Sequence, residues 1–294
     1  MSKANGAPVD ILILGAGWTS TFLIPLCLAR SISHAATSRT SNPKPDTIPF
    51  EYDQKEVAPD EAAFKLLPDA KTIVITFPIT VPGATKRLVR LYEKTRSTGV
   101  QRAAWIQLGT TSVWDKDPSD KPTSSSVWSD RHSPINKSHV RGAAEGELLA
   151  LSPESPTTVL NLCGLWGGSR KAKHWIGRVA ATKEALKARG STHMIHGEDV
   201  SRAILAVHSE FDKATGQRWL LTDGRVHDWW DLAHAWGIEY ATAKPGPQPV
   251  WVQELMLEQG IRALPRDVEK LGKALDSQEF WNTFKIQPVM GRLE

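Results

Sequence analysis

The stretch Asp10-Ile-Leu-Ile-Leu-Gly15-Ala-Gly-Trp-Thr-Ser20 decides the fold. Asp10 to Leu14 is a short, apolar, β-branched run of the kind that forms a fully buried strand. The glycine-rich turn Gly15-x-Gly17-x-x-Ser20 follows at once, and a helical stretch runs from about Trp18 to Arg30. In such a strand–turn–helix the first glycine permits the tight turn and the second lets the backbone approach a pyrophosphate. The third position needs a small residue against the strand, here Ser20. Helix N-terminal amides then carry the anion. The turn therefore predicts a dinucleotide held by Gly15, Gly17, Trp18, Thr19 and Ser20. Pro25 falls inside the helical stretch and should cost a hydrogen bond or bend the helix.

Outward from this turn the chain alternates. Ala35–Thr40 reads as the end of a second strand, Ser41–Pro49 as a Pro-rich loop, and Phe50–Asp53 as a third strand. Asp60–Leu67, Gly83–Ser97 and Asn136–Leu151 read as helices; Thr72–Phe77, Ala103–Leu108 and Thr157–Cys163 read as buried strands. Strands separated by helices at this spacing imply right-handed βαβ units and a parallel sheet, hence a doubly wound α/β (Rossmann) fold. Trp114–Ser133 has no period and reads as a surface loop. After Gly167 the pattern loosens. Helices are expected over Ala172–Arg189, Asp199–Glu210, Asp228–Ala235, Gln253–Ile261 and Asp267–Asp276, strands over Ser191–Ile195 and Arg218–Thr222, and a rigid linker over Lys244–Pro249. Residues 1–165 thus read as the dinucleotide domain. Residues 166–294 read as a small C-terminal substrate lobe, from which a strand and helices can return to the sheet.

Composition narrows the class. The 294 residues are 40% hydrophobic and 23% charged, the balance of a globular protein with a real core. Thirty-six basic against thirty-two acidic residues leave a net charge of +4. There is no Lys/Arg block and no basic stripe interleaved with aromatics, which argues against nucleic acid as a partner. No apolar run approaches the roughly 20 residues of a membrane helix, and residues 1–10 lack the apolar stretch of a secretory signal. Two cysteines, Cys27 and Cys163, fit neither a disulfide framework nor a metal motif. His193-x-x-His196 straddles a strand end, and no metal site is expected. The expectation is a reduced, cytoplasmic protein.

The cofactor's identity turns on the second strand. An NAD site would carry Asp or Glu there for the ribose hydroxyl, whereas this chain has Thr37-Ser38-Arg39-Thr40. Arg39 flanked by Ser38 suits a 2′-phosphate, so NADP is preferred over NAD. A solvated Arg39 is the plainer alternative.

These residues, with four further motifs, resemble the extended and atypical short-chain dehydrogenase/reductases, the superfamily of nucleotide-sugar epimerases and dehydratases. Within it the chain looks like the small, epimerase-like NAD(P)-binding proteins. The resemblance spans roughly Asp10 to Gly237. It is carried by Tyr52-Asp53, where the family's Asp contacts adenine, and by Thr76-Phe77-Pro78 beside the cofactor. It is carried also by the Ser/Thr-rich strand end Leu108-Gly-Thr-Thr-Ser-Val-Trp114 and by His196-Gly-Glu-Asp-Val-Ser-Arg-Ala203, a helix cap. The resemblance implies cofactor contacts from Asp53, Phe77 and Pro78, a substrate hydrogen bond from Thr110, and dimers through helix pairs.

The sequence departs from that family at its catalytic device, a Tyr-x-x-x-Lys on the next helix. Matching the helix through Ala144-Glu145 puts Lys137 at the Tyr position and Arg141 at the Lys position. The three tyrosines, Tyr52, Tyr92 and Tyr240, all lie elsewhere. Arg141 can hold the nicotinamide ribose or a phosphate. A replacement proton donor would come from Lys137, His139 or His132, with histidine best suited near neutral pH, unless these are solvated. Arg170-Lys171-Ala-Lys173 opens an expected helix, where cations are disfavoured; it is either solvated charge or a site for an anionic substrate group. Of the twelve Trp, core packing accounts for most, with at most two or three on the cleft. Two functions follow: an NADP-dependent oxidoreductase or epimerase-like enzyme on a small carbonyl or hydroxyl compound, or a non-catalytic NADP-binding regulator (or redox-neutral enzyme) on the same fold.

Overall fold

Apolar residues on both faces of successive strands are what a sheet sandwiched between helices requires. A computed structural model describes residues 7–39, 44–58, 60–97, 99, 101–115, 127–239, 244–291 and 293. Seven strands form one sheet: β1 (Val9–Leu14), β2 (His34–Ser38), β3 (Ile48–Pro49), β4 (Ala70–Ile75), β5 (Ala104–Thr110), β6 (Thr157–Leu162) and β7 (Gln217–Leu221). Their order is β7-β6-β5-β4-β1-β2-β3, and every neighbouring pair is parallel. The order reverses between β1 and β4. A crevice therefore opens at the carboxyl ends of these strands, where the glycine turn stands.

The helices are α1 (Ser20–Ala29), α2 (Glu61–Lys65), α3 (Ala84–Lys94), α4 (Val140–Leu149), α5 (Gly197–Ser209), α6 (Trp229–Trp236), α7 (Gln248–Gln259) and α8 (Gln278–Thr283), with shorter turns between. Alternate residues of the strands face opposite ways. Ile11, Ile13, Val74, Ile106 and Leu160 meet Leu23 and Cys27 of α1, Ile204 of α5 and Phe280 of α8. Leu12, Leu14, Ile73, Trp105 and Val159 meet Phe64 of α2, Leu88 of α3 and Leu148 of α4 on the other face. Each such fully buried side chain contributes about 1.5–3 kcal/mol. Pro25 does not interrupt α1, which stays helical on both sides of it.

Residues after 166 return to this sheet. β7 supplies its edge strand, and α5 and α8 cover one face. His196 caps α5 by accepting from Glu198 N through Nδ1 at 3.1 Å. The Asp199 carboxylate accepts from Val289 N and Met290 N at 2.8 and 3.0 Å, which pins the chain's last segment. Between these returns a lobe forms around Trp166, Leu186, Met194, Trp230, Val252 and Leu255. There the buried Asp228 carboxylate caps α6 and pairs with Arg266 at 2.6 Å.

Several expected elements differ. The third strand is Ile48–Pro49, paired with Thr37 and Ser38, not Phe50–Asp53. Phe50 instead buries its ring edge-on against Phe64, with centroids 5.1 Å apart. The helix expected over Ala172–Arg189 breaks into Ala172–Trp175, Ile176–Val179 and Lys183–Lys187, because the Thr182 hydroxyl accepts from Ala185 N and starts a new helix. The end of the Lys244–Pro249 linker is already helix α7, with Pro249 in the first turn where no donor is needed. Asp267–Asp276 is not a helix: Ala274–Leu275 is captured as a strand by Trp128–Ser129. No helix among the described residues is long and apolar enough to cross a membrane.

Candidate functional site

The crevice is a cavity of about 820 Å³ at the carboxyl ends of β1, β2, β4, β5 and β6. That size lies within the range of small-molecule sites. Its floor is the glycine turn. Gly15 has φ +96°, and a Cβ there would stand 2.7 Å from Thr76 Oγ1, so only glycine fits. The turn is held on both sides: Gly15 N donates to Thr37 Oγ1 at 3.0 Å and Ala16 N to the Thr37 carbonyl at 2.6 Å. Thr76 Oγ1 donates to the Leu14 and Gly15 carbonyls at 3.0 and 2.7 Å. Ser20 sits buried beneath the turn and donates to the Gly17 carbonyl at 2.6 Å. Gly15, Gly17, Trp18 and Thr19 line the cavity, as do Phe77 and Pro78 after β4.

At one end lie Ser38 and the exposed Arg39, both lining the cavity. Thr40 is outside the described residues. Lys44, which the sequence did not single out, stands beside them. Its backbone N donates to Ser38 Oγ at 3.1 Å, and its ammonium donates to the Ala16 carbonyl of the glycine turn. The pairing of β3 with β2 sets Lys44, four residues before Ile48, beside the end of β2. Asp53 does not line the cavity. Its carboxylate accepts from Lys55 N at 2.8 Å in a local turn, and its neighbours Tyr52 and Gln54 line the wall instead. The Tyr52 hydroxyl donates to the Ala84 carbonyl at 2.7 Å, and burial pushes its pKa up.

Thr110 and Arg141 form the other end. The Thr110 hydroxyl lies 2.6 Å from that of Ser112 and accepts from Ser112 N at 3.2 Å. Behind it, Glu145 is fully buried. Its carboxylate accepts from Thr110 N at 3.2 Å, from Asn161 Nδ2 at 2.9 Å, and from Arg218. Asn161 Nδ2 also donates to the Thr110 carbonyl at 2.9 Å. Gly109 makes room for this network: a Cβ there would meet Asn161 Nδ2 and Glu145 Oε1, each at 2.5 Å. The Arg141 guanidinium donates to the Leu108 carbonyl at 3.1 Å, and its desolvation pulls its pKa down against the pull of Glu145.

The expected proton donors are elsewhere. Helix α4 begins at Val140, not at Asn136, because His139 caps it: its Nδ1 accepts from Gly142 N at 3.3 Å. Lys137 is exposed in the turn before that cap, and His132 is exposed and 2.8 Å from Glu279. Lys137, His139 and His132 do not line the cavity. Of the Arg170 cluster, Arg170 alone lines it; Lys171 and Lys173 do not. Arg170 lies 4.6 Å over the ring of Trp18, whose Nε1 donates to the Gly167 carbonyl at 2.9 Å. Trp18 is the one tryptophan among the described lining residues. Cys163 lines the cavity too, with its thiol pushed well up by burial and by Asp223. Among the described residues no cluster of three or more His, Cys, Asp or Glu could hold a metal ion.

No family model matches the sequence, and no curated protein is similar to it at a significant level. Solved structures are similar over almost the whole chain. Vestitone reductase from alfalfa (Medicago sativa L.) is 17% identical, with 97% of this chain and 95% of that one covered at a TM-score of 0.63. UDP-N-acetylglucosamine 4-epimerase from Bacillus cereus is 11% identical, with 95% and 91% covered at 0.57. A dTDP-glucose 4,6-dehydratase from Bacillus anthracis str. Ames, solved with NAD, is 14% identical, with 96% and 92% covered at 0.55. The fold is therefore that of the epimerase-like reductases and dehydratases that the sequence motifs resemble.

Proposed function

We propose that this chain, which has the fold of NAD-dependent epimerases, dehydratases and reductases, is an NADP(H)-dependent oxidoreductase of a small carbonyl or hydroxyl compound. The observation that carries the reading is one continuous cavity joining the glycine turn, the Arg39–Lys44 pair and the Thr110 hydroxyl. The residues fit the group: the turn at Gly15–Thr19 offers backbone to a pyrophosphate at the start of α1. Arg39 and Lys44 offer two cations to a 2′-phosphate, with no carboxylate at the end of β2 to receive a ribose hydroxyl instead. The nicotinamide, when bound, supplies or accepts the hydride.

The chain's own part is positioning and the proton. Thr110 donates a hydrogen bond to the substrate oxygen, and its hydroxyl contact with Ser112, 2.6 Å away, carries the proton between that oxygen and solvent. The buried Glu145 and Asn161 hold the Thr110 backbone in place.

Thermal melting tests the cofactor. At about 100 times the dissociation constant a ligand stabilises the fold by roughly 2.7 kcal/mol. NADP⁺ and NADPH are expected to raise Tm more than NAD⁺ and NADH. Arg39→Ala is expected to lose about 1.5–3 kcal/mol of NADP⁺ affinity, the value of a charge-assisted contact, and little of NAD⁺ affinity. Equal shifts with all four nucleotides would refute the NADP preference; no shift would refute the cofactor. Gly15→Ala is expected to remove the shift, because the new Cβ forces Thr76 and the turn apart. A normal shift in that variant would show that the turn does not hold the ligand.

One observation favours a non-catalytic NADP-binding regulator: the one phenol among the described lining residues, Tyr52, is committed to the Ala84 carbonyl. This second reading predicts the same melting shifts with no change in nicotinamide absorbance across a panel of small aldehydes, ketones and 2-oxo acids.

A further inference from the structure

We infer that the substrate carries a carboxylate next to its reacting carbonyl or hydroxyl, and that Arg141 binds it. The inference deepens the oxidoreductase reading and rests on it for the site of the reaction. Among the described residues four cations line the cavity: Arg39, Lys44, Arg141 and Arg170. Glu51, exposed and one residue beyond the buried Phe50, is the one carboxylate among the described lining residues. The anions of NADP would meet three of the cations. Arg39 and Lys44 stand at the end of β2 and would hold a 2′-phosphate. Arg170 lies over Trp18 of the turn that faces the pyrophosphate.

Arg141 is left over, at the nicotinamide end, where the dinucleotide carries no anion. Its guanidinium is half-buried, donates to the Leu108 carbonyl at 3.1 Å, and has no other hydrogen bond among the described residues, with a fully buried, unpartnered Nε. Glu145, one helical turn along α4, attracts it through space but makes no hydrogen bond to it. Both oxygens of that carboxylate are taken, by Thr110 N on one side and by Asn161 and Arg218 on the other. A desolvated cation with no carboxylate in contact is costly, and a guanidinium presents a planar fork that matches a carboxylate. Arg141 and Thr110 line the same end of the cavity, and Arg141 is held there by the Leu108 carbonyl two residues before Thr110. A 2-oxo or 2-hydroxy acid would put its carboxylate on Arg141 and its second oxygen at the Thr110 hydroxyl.

The test compares 2-oxobutanoate with its neutral amide, 2-oxobutanamide, by calorimetry on the NADP⁺-saturated protein and on the free protein. NADP⁺ cannot reduce either compound, so binding alone is read. The acid is expected to bind at least tenfold more tightly than the amide. Arg141→Met is expected to erase that preference while NADP⁺ affinity changes less than threefold. Arg141→Lys, which keeps the charge and loses the fork, is expected to retain part of the preference; it decides the matter if the Met variant does not fold. Equal affinity for acid and amide in the unaltered protein overturns the inference. So does a preference that survives Arg141→Met, or a tenfold loss of NADP⁺ affinity in that variant with the preference intact, which would give Arg141 to the cofactor. If no nicotinamide nucleotide binds, the oxidoreductase reading falls by itself, and the acid–amide comparison on the free protein still decides this one.

Discussion

Arg218→Met is expected to lower the unfolding free energy by about 3–5 kcal/mol, because it strands a buried carboxylate. Glu145 is fully buried, and Arg218, nearly so, is its counter-ion. With Arg218 gone, the Glu145 charge keeps hydrogen bonds from Thr110 N and Asn161 Nδ2 but no cation in direct contact among the described residues. The double variant Arg218→Met, Glu145→Leu removes both charges and is expected to lose less than Arg218→Met alone, since an apolar pair of similar volume is often neutral relative to a buried ion pair. Urea unfolding checks both. A loss below 1 kcal/mol for Arg218→Met would mean that water reaches the network. Because the same carboxylate holds the Thr110 backbone, the single variant should also weaken the binding of a carbonyl compound at the far end of the cavity.

Acid is expected to destabilise the protein well above the range where carboxylates protonate, chiefly through His193. This residue is 6% exposed, and its Nε2 accepts from Leu275 N at 3.0 Å, which requires the neutral ring. Burial, then the charges of Lys273 and His227, lower its pKa to about 3. In the unfolded chain a histidine titrates near 6.5. Between those values the unfolded state binds the extra proton, so stability is present in full above about pH 6.5 and falls as pH drops toward about 3. The slope is about 1.4 kcal/mol per pH unit, and the whole loss is on the order of 5 kcal/mol. His208, whose pKa burial also lowers, acts in the same direction. His193→Gln keeps an acceptor for Leu275 N without the titration. It is expected to lose about 2 kcal/mol less than the unaltered protein between pH 7 and pH 5 in urea unfolding. Parallel pH profiles for the two proteins would remove His193 as the cause.

Strand, turn and helix at residues 10–30 are legible without any tertiary information, because their signals are local. Ile11 to Leu14 are apolar without a break, Gly15 can take φ +96°, and Ser20 is small enough to lie beneath the turn. The strands that follow announce themselves in the same way, and from them the doubly wound sheet is fixed by the handedness of its crossovers. The place of Arg39 on the cavity is legible too, since it depends only on standing at the end of β2. The helix over residues 267–276 was misread because local periodicity cannot see Trp128–Ser129, which holds Ala274–Leu275 in a strand.

Membership of the cavity was decided by tertiary structure, because it depends on register between segments distant in the chain. Lys44 enters it through the pairing of β3 on β2, and Asp53 leaves it when Phe50 docks on Phe64. The start of α4 separates two residues that the motif had joined. His139 takes the cap, so Lys137 falls in solvent while Arg141, on the first turn, reaches the cavity. Glu145, Asn161 and Arg218 come from a helix and two strands. Neither spacing nor composition reveals that they meet behind Thr110, and only burial makes their meeting energetically consequential. Sequence determined the sheet and the glycine turn, which are written in neighbouring residues. Packing decided which charges were drawn out of water and what they face, since desolvation is a property of the assembled fold.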